Sequence, residues 1–329
     1  MSKTNRIFLI SIIIAVLSTL AIIIIPNSID NYVGALNPEA GDVYEWKFQV
    51  PDTAARITAW GFFVLHFATV GYFMTKLKKN YQSKGEISKY NVYLLLVNFG
   101  FIILHYIHTI IWYDALAQDT PVWSSQGSVI IMLILVLIIE NRRRGLFFGK
   151  KMPFPKESTR FVMKYHGIYI SLATIFTFWF HPMENELAHL FGFFYMYLLF
   201  IQLSLAKTKL HHNYIWTIIL EVTVLVHGTI VAISTDNAPY AMFLFGFATV
   251  FFVTQIYGLK LKKSIIMITQ ILYLVLIVLE YSGVFSGNSW ANINEVFRIP
   301  VIDYLLVFVF VYVIYIPYYF KKKRKKKVS

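Results

Sequence analysis

His105 and His108 stand three residues apart inside the apolar run Tyr90–Tyr113. On a helix both imidazoles would leave the same face, with their Cβ atoms about 5–6 Å apart. Neutral imidazoles at that spacing, joined by a carboxylate, are the donor set a divalent metal takes. Without a metal they are acid–base groups. Asp114 follows at the end of the same run, and helical rise brings Asp303 and Glu280 toward the same layer from later segments. His66 and His227 fall near the middle of two other apolar runs. Asn98, seven residues before His105, shares nearly the same face and could orient a ring.

This pattern predicts a site of His66, His105, His108 and His227 with Asp114 or Asp303, in which His105 and His108 are the metal-compatible pair. A divalent cation is the cofactor these residues suit. Haem would need His66 and His227 at matched depth, and a single such layer lacks the stacked carriers that electron transfer across a bilayer requires, so haem is disfavoured.

A second constellation centres on Glu221, two turns inside the run that begins at Tyr214. An ionisable group at that depth is costly and needs a partner. Gln202, Gln255 and Gln270 fall at comparable depth on neighbouring runs. Together with His227, these residues outline a polar path along which a proton could pass.

The elements that must position these groups are dictated by composition. The 329 residues are 57% hydrophobic and 14% charged, against roughly 25% charged in soluble domains. The apolar residues fall in blocks of about 20, the length that crosses some 30 Å of hydrocarbon as helix. The expected fold is an all-α, polytopic membrane bundle of about ten transmembrane helices. The spans read as Ile7–Ile25, Ile57–Lys76, Tyr90–Tyr113, Gln126–Glu140, Phe161–His181, Leu187–Ala206, Tyr214–Ser234, Tyr240–Gly258, Ile265–Ser282 and Ile299–Phe320. They form a single transmembrane domain over 1–320, with an outer loop at 26–55, an inner basic loop at 141–160 and a basic tail at 321–329. The first apolar run is too long for the core of a cleavable signal and reads as a retained anchor.

Cations set the orientation, because lysine and arginine in short loops stay on the cytoplasmic side. With the N-terminus inside, 27 of the 30 lysines and arginines lie on inner segments, leaving Lys47, Arg56 and Arg298 outside. Both termini are therefore expected in the cytoplasm of a bacterial-type plasma membrane. The net charge of +13 then belongs to a rim facing anionic lipid headgroups and does not point to nucleic acid. Arg142, Arg143, Arg144, Lys150 and Lys151 flank Leu146-Phe147-Phe148, and this loop is expected to dip its two phenylalanines into the interface.

With no cysteine, disulfides, thiolate-held metals and cysteine nucleophiles are excluded. P-loops, His-Glu-x-x-His helices and serine hydrolase elbows are missing too. Three functional classes fit. The first is a membrane-embedded enzyme with an outward-facing His/carboxylate site for a lipid-linked or apolar substrate. The second is a proton-coupled transporter or exporter using Glu221 and His227, against which the scarcity of helix breakers and of visible repeats counts. The third is a non-catalytic membrane scaffold.

Overall fold

A computed structural model describes residues 2–24, 52–80, 85–234, 240–285 and 288–328. Most of the outer loop expected at 26–55 lies outside the described residues. Among the described residues ten α-helices follow one another: α1 (Lys3–Ile24), α2 (Thr53–Lys79), α3 (Lys89–Trp112), α4 (Val122–Arg144), α5 (Lys156–Phe180), α6 (Leu187–Ser204), α7 (Tyr214–Ser234), α8 (Tyr240–Val253), α9 (Lys263–Tyr281) and α10 (Glu295–Val328). No β-strand occurs among the described residues, where one isolated bridge joins Phe147 and Lys150.

Helix boundaries follow local chemistry. Asp52 caps α2 by accepting the Ala55 N–H at 2.7 Å, and Lys76, Lys78 and Lys79 occupy its last turn, where cations suit the helix dipole. Ser88 and Asn91 form a reciprocal capping box at the start of α3, which ends at Tyr113 in the left-handed region. Among the described residues, eight helices are long and apolar enough to cross a membrane. The set omits α5, and it omits α8, whose 14 residues rise only about 21 Å.

Two compact units form. One comprises Met1–Ile130 and Gly167–Trp216, the other Ile131–His166 and Thr217–Ser329. The first is built around the buried rings of Phe178, Trp179, Phe180, Phe193, Tyr197 and Phe200. In the second, α8 lies along α10, with Gly246 so close to Ile299 that an added Cβ would come within 3.0 Å.

The second unit carries a proline inside one helix and a break after another. α10 contains Pro300, which frees the Val296 carbonyl from its intrahelical bond. The Thr249 hydroxyl lies 3.3 Å from that oxygen. α8 gives way at Thr254 to a 3₁₀ turn, Gln255–Leu259, which ends at Lys260 in the left-handed region. The carbonyls left at this break are met by neighbours: Phe148 N donates to Val253 O at 2.8 Å, Gln270 Nε2 to Phe252 O at 2.8 Å, and Arg143 Nη1 to Gly258 O at 3.0 Å.

Candidate functional site

Within the first unit, α2, α3, α5 and α6 bring one chain of polar groups together. His66 Nε2 donates to Asn98 Oδ1 at 2.9 Å, and His66 Nδ1 accepts from Trp179 Nε1 at 3.3 Å. Asn98 Nδ2 donates to Ser204 Oγ at 3.0 Å, and Ser204 Oγ to Phe200 O at 2.7 Å. Each donor in this chain has one acceptor, which fixes His66 as the neutral tautomer carrying its proton on Nε2. Its ring also stacks on Phe101 at 4.1 Å. Both nitrogens are thus engaged, leaving neither for a haem iron. Asn98 serves His66 and not His105, to which its spacing had pointed.

His105 is buried between Phe178 and Trp179, with ring centroids at 4.7 and 4.5 Å, and faces the backbone of His181. His108 places Nε2 at 3.1 Å from Thr58 Oγ1 and 3.4 Å from Ala55 O. The two imidazole centroids are 6.5 Å apart, so the i, i+3 spacing does bring the rings near each other. Asp114 is buried just past α3, where one oxygen accepts the Ala115 N–H at 2.6 Å and the other has no hydrogen-bond partner. Burial pushes its carboxyl up to about 6, with Asp119 and Asp52 adding to the shift and the Ala115 N–H and Arg56 opposing it. Glu184, between α5 and α6, is likewise raised by burial, against the Tyr113 hydroxyl beside it. Among the described residues no group of three or more His, Asp or Glu side chains gathers closely enough to hold a metal. Among these residues, then, no third His, Asp or Glu donor joins His105 and His108.

His227 and Asp303 belong to the second unit, and so does Glu280, which accepts from Tyr240 at 2.8 Å and Asn288 at 2.9 Å. Here the structure corrects the reading of Glu221. Its partner is Arg144, whose guanidinium meets both carboxylate oxygens, one of them at 2.5 Å. The Arg144 side chain is 0% exposed, so this residue is not a headgroup contact. Gln202 instead accepts from Trp216 Nε1 at 2.8 Å and donates to His211 O at 3.2 Å. Gln270 binds Phe252 O and the Tyr257 hydroxyl.

Of the three glutamines expected around Glu221, Gln255 alone lines a small cavity with it, and Asp303 lines the same cavity. The remaining wall is apolar, with Leu133, Val136 and Leu137 of α4, Val224 and Leu225 of α7, and Phe247 and Val250 of α8. The Phe247 ring is held against Gly228, where an added Cβ would lie 2.9 Å away. Asp303 is 3% exposed, and among the described residues its carboxyl has no hydrogen-bond or ion-pair partner. Pro300 stands one turn earlier on the same helix. The neighbouring Tyr304 hydroxyl is occupied by Thr254 at 2.7 Å, and Thr254 also binds Leu146 O at 2.5 Å.

The basic loop folds onto this region. Asn141 and Met152 exchange two hydrogen bonds of 2.9 Å, and Gly145 and Gly149 take φ of +78° and +77°. Phe147 does not reach outward: it packs on Tyr304 and Phe308 at 4.6 and 6.5 Å. Phe148 is 63% exposed. Arg143 is tied to Glu140 at 2.5 Å and to Gly258 O, while Arg142, Lys150 and Lys151 are exposed.

No family model matches the chain, and no curated protein or solved structure matches it significantly. Its function is accordingly read from the chemistry of these two centres.

Proposed function

We propose that the protein is a proton-coupled membrane transporter whose proton site is Asp303, set beside the Arg144–Glu221 pair. A single observation carries this reading: a buried carboxylate with no donor or counter-cation among the described residues faces a cavity. Such a group must be neutralised by a proton or by a bound cation. Arg144 and Glu221 cancel each other's charge, so Glu221 is an anchor for the proton centre and not the carrier itself. The break after α8 adds support, because irregular backbone inside a membrane bundle is tolerated where it is buried or lines a cavity, and transport sites use it.

The histidines of the first unit suit a positioning role, since His66 is fully bonded and His105 is enclosed by aromatic rings. The enzyme reading needs a substrate-sized opening beside His105 and His108 and an acid within reach of both. Ten spans with both termini cytoplasmic, in a bacterial-type plasma membrane, are the topology that goes with this function. Anionic inner-leaflet lipids would meet Arg142, Lys150 and Lys151.

A pH jump applied to vesicles adsorbed on a sensor moves charge when a buried carboxylate takes up a proton, and it needs no cargo. Wild-type protein is expected to give a transient current that Asp303→Asn lacks and Asp303→Glu keeps. An equal transient in Asp303→Asn would remove Asp303 from the proton site.

A further inference from the structure

Size and charge together restrict what else the Asp303 cavity can hold. It has room for about one water-sized occupant, and a polar occupant of that size needs two to four polar partners. Asp303 and Gln255 supply them, on α10 and on the 3₁₀ turn after α8. Glu221 also faces the cavity, but its two oxygens are taken by Arg144. Tyr304, next to Asp303 on α10, is committed to Thr254. One negative charge therefore remains for the occupant to balance.

A monovalent cation balances it. A divalent ion would leave an excess positive charge against a wall of leucine and valine, and an organic cation is larger than the space.

We propose that Asp303 and Gln255 form a binding site for a monovalent inorganic cation of about water's size, which exchanges with the proton of Asp303. The inference rests on the proton-site reading above. In the exchange the carboxyl O–H bond breaks and its proton leaves to solvent. The carboxylate oxygen so freed contacts the arriving cation. One positive charge leaves for each that enters, so the step is electroneutral.

The test uses the full chain in phosphatidylcholine vesicles loaded with a pH-sensitive dye and pulsed outside with sodium, potassium or choline chloride. An inward-moving cation should drive protons out and raise the internal pH. Sodium or potassium, but not the oversized choline, is expected to do so in wild-type protein. Asp303→Asn should fall to the rate of protein-free vesicles, and Gln255→Ala should weaken the apparent cation affinity about tenfold, the cost of one polar contact. Absence of any cation response while the Asp303-dependent pH-jump current persists would overturn the cation site and leave the proton reading standing. Absence of both defeats both. A response retained in Asp303→Asn would place the exchange elsewhere and overturn the assignment.

Discussion

At the scale of single residues, burial decides which ionisable groups are costly and which are served. Asp114 is served on one oxygen only, and its carboxyl rises from 3.8 to about 6. Between those values the folded chain binds more protons than the unfolded one, so stability falls as pH rises through that window. The loss amounts to about 3 kcal/mol once the pH exceeds 6. Asp114→Asn keeps the oxygen that accepts from Ala115 and removes the charge. Thermal unfolding in detergent should show the variant more stable than wild type at alkaline pH and equal to it below pH 4. An equal gap at both ends would mean that charge is not the cause.

The Arg144–Glu221 pair makes the complementary point. Arg144→Ala should cost about 3–5 kcal/mol by stranding a buried carboxylate, whereas Arg144→Met combined with Glu221→Leu should recover most of that loss. Denaturant or thermal titration of the single and double variants measures the difference. The need of Glu221 for a partner was legible in the sequence, but the partner's identity was not, because Arg144 reads as one of three adjacent rim arginines. The missing clue is geometric: three consecutive residues near a helix end cannot all face outward, as each turns about 100° from the last.

Among the elements, the helices that carry the candidate groups were legible from apolar run length and caps, and the described structure has a helix at each of the ten positions. The break after α8 was not. Thr254 ends α8 without a proline or glycine beside it, and the interruption depends on bonds from Phe148, Arg143 and Gln270 that are remote in sequence. The last span was read as starting at Ile299, yet α10 begins at Glu295. The loop that holds the break depends on its left-handed residues. A Cβ at Gly145 would meet the Gly149 backbone at 2.5 Å, at a φ of +78°. Gly145→Ala should therefore destabilise the protein by about 2 kcal/mol or more and loosen Arg143 and Arg144 just before it. Protease accessibility of the 145–150 loop, compared between variant and wild type, reads this out. Unchanged protection would show that the loop is not held by that turn.

For the molecule as a whole, the cation count predicts topology more directly than it predicts chemistry. A reporter fused after Asn288 should report the outer face and one fused to the tail the cytoplasm, and a cytoplasmic signal at Asn288 would contradict ten spans with both termini inside. The histidine spacing was legible and correctly put His105 near His108, but spacing does not tell whether a ring is wrapped in phenylalanine and tryptophan or open to a substrate. The carboxylate cavity was legible only in part, because depth along a span fixes neither the unit a residue joins nor the wall it faces. Infrared spectroscopy of the purified protein, titrated from acid to alkaline pH, resolves the carboxylic acid stretch of a buried, unbonded Asp. A component that disappears as the carboxyl ionises is expected in wild type and in His105→Ala and missing from Asp303→Asn, beside the bands of Asp114 and Glu184 that all three proteins share. A titrating band that survives in Asp303→Asn but is altered in His105→Ala would move the functional centre to the histidines and contradict the proton site proposed here.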